Sequence, residues 1–292
     1  MPVYNAQRYI RAATESIQRQ TFADFEFIIV DDGSTDGSGA ILRSLAAQDT
    51  RIRLISRANT GVAVARQQGF LAARGELLAS MDADDISLPE RFARQIEYMQ
   101  AHPDCVLLGA GVELIDPDGQ SLGILGKRLA HAQIDAIMMQ GDGSAIHQSS
   151  AVMRRSAIER VGGYQARFPT TEDLDLFLRL AEIGTIANLS DVLLQYRHHF
   201  SSQNRTRFAS QLQDAPTVVR EAMHRRGMRT PEGFALPMAP PPTETEQRRL
   251  WAREHRRSRR WKAAARQAAI AVGQKPISVG TLKLFYHLLR GR

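Results

Sequence analysis

Phe25-Glu26-Phe27-Ile28-Ile29-Val30 is a nearly continuous apolar run that stops at Asp31-Asp32-Gly33-Ser34-Thr35-Asp36-Gly37. A run apolar on both faces is what a strand needs when helices cover both sides of its sheet. The stretch after it combines turn chemistry with that of a helix N-cap. The same order recurs on either side. Tyr9, Ile10, Ala13 and Ile17 repeat at helical spacing before the run. A helix to about Ala47, the strand 52–55, a helix from Val62 to Ala73 and a strand within 76–81 follow it. This alternation of helix and strand predicts an α/β chain built from βα units on a mixed, mostly parallel sheet.

The strand within 76–81 ends in Asp82-Ala83-Asp84-Asp85. Ligands in an open α/β sheet bind outside the carboxyl ends of the strands. Residues two apart on an extended chain point the same way, so Asp82 and Asp84 can face one ion together. Mg²⁺ is commonly held by one or two carboxylates plus substrate phosphates. The same run also suits a solvated turn and N-cap ahead of a helix starting near Pro89. The local sequence leaves both readings open.

Beyond Pro89 the pattern predicts a helix to about His102, a strand from Cys105 and a hairpin-type turn at Asp116-Pro117-Asp118-Gly119. A helix near 130–139, a strand over 147–153 and a short helix closed by Gly162-Gly163 come next. A helix follows Thr170-Thr171-Glu172-Asp173, and short strands lie near Ile186 and Leu193. The expected division is a main domain over 1–205, a helical connector over 206–236, a Pro-rich linker over 237–245 and a basic tail over 246–292. In the tail, 246–272 and 278–289 read as two helices.

Charge sorts the same way. From Glu244 to Arg292 there are 13 Lys and Arg against 3 Asp and Glu, whereas the whole chain is only +7. The basic character therefore belongs to the tail and says nothing of what the main domain binds. No apolar run reaches the 18 to 20 residues a bilayer span needs. The single cysteine, Cys105, sits in an apolar run; it fits core packing and a reducing compartment. A cytoplasmic location is expected. The Arg-rich tail helix between Trp251 and Trp261 suits peripheral contact with an anionic membrane surface, or simple packing on the main domain. Nucleic acid is not expected. No Gly-x-Gly-x-x-Gly or phosphate-loop signature is present, which argues against a dinucleotide enzyme or an NTPase.

Three groups of motifs occur in order. The first is Met1-Pro2-Val3-Tyr4-Asn5 with Ile29-Val30-Asp31-Asp32-Gly33-Ser34. The second is Asn59-Thr60-Gly61 with Ala65-Arg66, then Ala73-Arg74-Gly75-Glu76 and the acidic run. The third is Gly162-Gly163-Tyr164 with Thr171-Glu172-Asp173-Leu174-Asp175-Leu176. Together, over about residues 1–205, they resemble the family 2 glycosyltransferases, inverting nucleotide-sugar enzymes of the GT-A fold. The resemblance implies that Asp32 meets the nucleotide base with Asp31 in support, that Pro2 and Tyr4 line the base and ribose pocket, and that Arg66 lies near the nucleotide. It implies that Asp82 and Asp84 form the metal motif, with Mn²⁺ or Mg²⁺ as the ion: Asp84 contacts it most directly, Asp82 contacts ribose or the metal through water, and Asp82 and Ala83 belong to the nucleotide-sugar site. His199, in Tyr196-Arg197-His198-His199, matches a histidine that contacts the metal in some members. Asp173 matches the catalytic base, with Glu172 as the alternative. Asp85 is expected to cap or orient the loop that follows.

The implied partners are a nucleotide-sugar donor, UDP-linked first, and a glycan or lipid-linked acceptor in surface polysaccharide synthesis. The family opens with a longer strand ending in this Met-Pro-Val-Tyr-Asn. That strand reads here as missing, which would leave its neighbours' backbone groups exposed. A scaffolding or membrane-docking protein on an inactive transferase domain is the alternative. A haloacid-dehalogenase-like phosphatase also uses Asp-x-Asp after a strand, but it gives the Asp31-Asp32-Gly33-Ser34 turn no role.

Overall fold

The computed structural model describes residues 1–125, 130–200, 207–258 and 260–274. Its first half is a parallel three-stranded sheet in the order β1 (Pro2–Val3), β2 (Phe27–Asp31), β3 (Ile52–Ser56). Every residue of β2 is buried, as an apolar run between two helical layers requires. On one face Phe27 and Ile29 pack with Ile10, Ala13 and Ile17 of α1 (Ile10–Gln18) and with Leu42 and Leu45 of α2 (Ser38–Ala46). On the other, Ile28 and Val30 meet Ala65 of α3 (Val62–Ala72). The first strand, expected to be missing, is present as two residues. It pairs with β2 through Val30 N–H to Met1 O at 2.9 Å and Asp32 N–H to Val3 O at 2.8 Å.

The second sheet runs β4 (Leu77–Ala79), β8 (Val152–Arg154), β6 (Cys105–Ile115), β9 (Thr185–Arg197), β5 (Ile86–Ser87), with β7 (Ser121–Leu125) beside β6. Among the described residues parallel pairing is confined to β1–β2–β3 and to β6–β9. The other four pairings, β4–β8, β5–β9, β6–β7 and β6–β8, are antiparallel. Successive βα units thus account for the sheet only as far as β3. A groove of about 690 Å³ lies between the sheets, lined by Pro2, Phe27 and Ile28 on one side and Leu77, Leu78 and Ala79 on the other.

The two short strands expected near Ile186 and Leu193 form one 13-residue strand, β9, whose register against β6 shifts at Gly109 and Gly111. A Cβ at Gly109 would stand 1.9 Å from Asn188 Oδ1, so a larger residue there would have to displace that buried side chain. The strand expected over 147–153 is a single 3₁₀ turn, Gln148–Ser150, followed by β8. The connections are α4 (Arg91–Ala101), α5 (His131–Met138), α6 (Arg155–Val161) and α7 (Glu172–Ala181). The main core gathers Leu107, Ile134, Met138, Ile158, Leu176 and Phe177. Helix α8 (Phe208–Arg225) adds Ala215, Val218, Val219 and Ala222 to that core.

The tail differs from the single helix expected over 246–272. Helix α9 (Glu244–Arg257), started by a Thr243–Glu246 capping box, stops at Ser258, and α10 (Trp261–Gln274) folds back along it. Arg248 donates to Gln267 Oε1 across the pair at 3.0 Å. Trp251 is 3% exposed and packs on Phe200 at a ring distance of 5.1 Å, so it belongs to the protein interior and not to a membrane-facing surface. The Trp261 side chain and the helix expected at 278–289 lie outside the described residues. Among the described residues no helix is long and apolar enough to cross a membrane.

Candidate active site

The site is assembled where the strands of both sheets end. After β2, Asp31 Oδ1 accepts the Ser34 N–H at 3.0 Å, which closes the turn into α2. Asp32 is 3% exposed. Its carboxylate accepts the N–H groups of Thr60 at 3.1 Å and Gly61 at 2.8 Å, and Arg57 Nε stands 3.2 Å away. Asp32, expected at the nucleotide base, thus ties the β2 turn to the start of α3. Asn5, held at φ 49°, accepts the Thr35 N–H at 2.8 Å, which brings the 4–6 loop onto the same corner. Tyr4 is half exposed there, and Pro2 is paired in β1.

The acidic run follows β4. Buried Arg91 donates to Ser80 O at 2.8 Å, and Ser149 Oγ accepts the Asp82 N–H at 3.0 Å, so the strand end is fixed from two sides. The chain then turns at Ala83 and Asp84. It is not extended, so the alternation that would aim Asp82 and Asp84 the same way does not apply. Asp82 Oδ1 accepts from Arg66 Nη2 at 2.6 Å, and Asp84 Oδ2 lies 2.7 Å from His199 Nε2. Ala83 is partly buried against the core that includes Phe27, Ile29 and Met81. Asp85 is fully buried. It accepts the Arg197 N–H at 2.8 Å, and its carboxyl is pushed well above the usual range by burial and by Asp84 and Asp82.

Arg66 is no surface residue, at 8% side-chain exposure. Its Nε donates to Glu172 Oε1 at 3.2 Å while Nη2 holds Asp82. The ends of β4 and α7 are thereby joined through one guanidinium, whose fork suits two carboxylates. Burial and the neighbouring Asp173 raise Glu172 to about 7 against the pull of Arg66. Asp173 is part-exposed, and Oδ1 accepts the Leu174 N–H at 2.8 Å. Its carboxyl is also raised, chiefly by burial, with Arg66 opposing and Asp82 adding to the rise.

Sequence reasoning missed Arg197, whose Nε donates to the Asp84 carbonyl at 2.8 Å, and Tyr9, whose ring stands 5.2 Å from that of His199. Arg197 lies in a run with evident character, but no spacing rule links it to a residue 113 positions away. Arg57 and Ser149 were hidden for the same reason.

The donor set fits a hard divalent ion in part. Asp84 and His199 offer one oxygen and one nitrogen at a partly open edge. Among the described residues no three His, Cys, Asp or Glu side chains form a ready cluster. Such an ion would take its remaining ligands from substrate phosphates and water.

The fold has counterparts among solved structures. S. aureus TarS in complex with UDP aligns at TM-score 0.59 and 15% identity, covering 99% of this chain and 78% of that one. Mannosyltransferase PcManGT from Pyrobaculum calidifontis, in complex with GDP-Man and Mn2+, aligns at TM-score 0.60 and 18% identity, covering 98% and 76%. Both support the GT-A fold. In sequence, the putative glycosyltransferase EpsE of Bacillus subtilis is 30% identical over 223 residues, 75% of this chain and 78% of that protein. The amylovoran biosynthesis glycosyltransferase AmsE of Erwinia amylovora is 31% identical over 209 residues, 70% and 77% of the two chains. The profile of Glycosyl transferase family 2 matches residues 1–162, more than half the chain, and the protein belongs to that family of glycosyltransferases.

Proposed function

We propose that this glycosyltransferase is metal-dependent and inverting, and moves a sugar from a nucleotide-sugar donor, UDP-linked first, to a hydroxyl of a glycan or lipid-linked acceptor. The observation that carries the reading is the joining of the acidic run to the start of α7. Arg66 holds Asp82 at 2.6 Å and Glu172 at 3.2 Å, so Asp173 stands at the same corner as Asp82, two residues from Asp84. The relative named for amylovoran biosynthesis supports surface polysaccharide as the pathway class. Structural neighbours bound to UDP, UDP-GlcNAc and GDP-Man support the donor class. Residues 1–205 would be the catalytic part and 246–292 a supporting tail, joined through 206–245.

In this reading Asp173 takes the proton of the acceptor hydroxyl as that oxygen attacks the sugar C1 from the face opposite the diphosphate. A single displacement of this kind inverts the anomeric centre. A carboxylate raised above its ordinary pKa is a better proton acceptor, and Asp173 has that character while remaining partly open. Glu172, held on Arg66, orients the corner. Asp84 and His199 would hold Mn²⁺ or Mg²⁺, which neutralises charge growing on the departing diphosphate. Asp32 and the 4–6 loop shape the nucleotide end.

Calorimetric titration with UDP and Mn²⁺ tests the reading. We expect binding that needs the ion and is lost in Asp84→Ala. A donor screen should then show nucleoside diphosphate release with one sugar class. Metal-independent UDP binding unaffected by Asp84→Ala would overturn the ion assignment. No binding and no release with any UDP-, GDP- or dTDP-sugar would favour the scaffolding alternative.

A further inference from the structure

We propose that Arg197 is a positioning residue for Asp84, and that the C-terminal helices α9 and α10 keep it in place by gripping the Asp116 turn from outside. The inference rests on reading Asp84 and His199 as the ion's ligands.

Arg197, the last residue of β9, is 7% exposed. Its backbone N–H goes to Asp85 Oδ1 and its Nε to Asp84 O, both at 2.8 Å. Its Nη1 reaches Asp116 O at 3.2 Å and Pro117 O at 3.4 Å. The guanidinium also lies 4.7 Å over the Tyr9 ring, and Tyr9 in turn packs on His199. One side chain therefore joins the acidic run to the β6–β7 turn and to the segment before α1. Asp84 is held at its carbonyl by Arg197 and at its carboxylate by His199, and both holders rest on one ring.

The turn needs a support of its own. Asp116 Oδ1 is spent inside it, accepting from Asp118 N–H at 3.0 Å and Gln120 N–H at 2.8 Å. Oδ2 meets His255 Nε2 of α9 at 3.1 Å, with side-chain exposures of 2% and 0%. A buried carboxylate oxygen left unpaired is costly, and here the tail supplies the partner. Two further tail residues hold the same hairpin: Arg266 pairs with Asp118 Oδ2 at 2.6 Å, and Arg260 donates to Ser121 O. Trp251 packs on Phe200, the residue after His199. The tail thus grips the two places from which Asp84 is positioned.

Outer partners of a metal ligand fix its orientation, and losing one typically weakens the metal by about 10- to 100-fold. The full chain is compared with Arg197→Lys, which keeps the charge but loses the fork, and with His255→Leu. Arg225→Gln, on a remote surface pair with Glu182, is the control. Mn²⁺ binding with UDP present is followed by electron paramagnetic resonance of the free ion, beside thermal melting and the split between kcat and the Mn²⁺ requirement. We expect Mn²⁺ affinity to fall about 10-fold in Arg197→Lys and, because His255 acts through the turn, by about 3-fold in His255→Leu. At saturating Mn²⁺ kcat should be restored, and the control should match the unaltered chain. Lower melting with unchanged Mn²⁺ affinity would reduce both residues to structural roles and overturn the inference. If Arg197→Lys does not fold, His255→Leu decides. Failure of the unaltered chain to bind Mn²⁺ would overturn the inference together with the ion assignment beneath it, whereas metal binding indifferent to both variants overturns the inference alone.

Discussion

Asp82 and Asp84 are two residues apart, yet they belong to different kinds of place. Asp82, 27% exposed, turns onto the buried Arg66 and shares it with Glu172, so one guanidinium stands among three carboxylates, Asp173 included. Negative charge exceeds positive there, burial penalises it, and both Glu172 and Asp173 rise above their ordinary values. Asp84, about as open at 30%, turns away to the rim, where its partner is one histidine at 2.7 Å. A charge-crowded interior suits proton transfer and rigid alignment. A part-open pair short of ligands suits an ion that comes and goes with its substrate. The separation comes from the turn at Ala83–Asp84 and predicts that substitutions in the two places fail in different ways.

The largest effect is expected at Asp173. Asp173→Asn should lower kcat by about 1,000-fold, within the usual range for a positioned general base, and leave UDP binding as it was. A base must be ionised to act. Because the interior carboxylates are raised, the acid limb of kcat in the unaltered chain should lie above the ordinary carboxylate range, and Asp173→Asn should abolish it. Glu172 and Asp173 titrate together, so the observed values belong to the pair. A limb at an ordinary carboxylate pKa would mean that the corner is solvated during turnover.

Arg66→Met is next and should appear in stability. Removing the shared cation leaves buried Glu172 and part-exposed Asp82 uncompensated, at a cost of about 3 kcal/mol in urea unfolding at neutral pH. The sign with pH is fixed. Glu172 has a folded value of about 7 against an ordinary 4.5. Raised carboxylates favour folding below their unfolded value and lose that contribution as pH rises through the folded one, so the Arg66→Met deficit should grow from pH 5 to pH 8. Adding Glu172→Gln should recover part of it. A deficit under about 1 kcal/mol, flat with pH, would show a solvated cluster. His199→Asn should do the reverse. As half of a part-exposed pair it should cost less than about 1 kcal/mol of stability, yet raise the Mn²⁺ needed for half-maximal rate by about 10-fold.

How much of this could be read from the chain depends on how local the signal was. The β2 run and the acidic turns announced strand ends, and β2 with its two helical faces appears as expected, because period and turn chemistry are properties of neighbouring residues. The motif groups also indicated the family from residues alone. The pairing of β4 with β8 was illegible, since Leu77–Ala79 carries no mark of a partner some 75 residues on. The division between Asp82 and Asp84 was misread because strand alternation was carried past the residue where the strand ends. The resemblance places Arg66 near the nucleotide, but nothing local tells of its burial; only Asp82 and Glu172, 16 and 106 positions away, explain it. The stop of α9 at Ser258 was hidden by helix-favouring residues on both sides, and the burial of His255 on Asp116 arises only from packing.

The contrast between interior and rim extends to the histidines of this end of β9, and gives the smallest expected effect. His199 reaches the rim carboxylate. His147 instead packs on Tyr196 with its ring 5.0 Å away, and burial together with nearby His198 lowers it to about 4 despite Asp142. A depressed histidine favours the folded state above its unfolded value of 6.5, because there neither state must bind a proton. Between pH 6.5 and 4 the unfolded chain takes up protons that the folded chain refuses, so stability falls as pH falls. His147→Asn should remove about 1 kcal/mol of that acid loss, measured as the difference in unfolding free energy between pH 7 and pH 4.5, with the Mn²⁺ requirement unchanged. A shift in the Mn²⁺ requirement instead would place His147 with the rim, and the division between the two regions would then fail at β9.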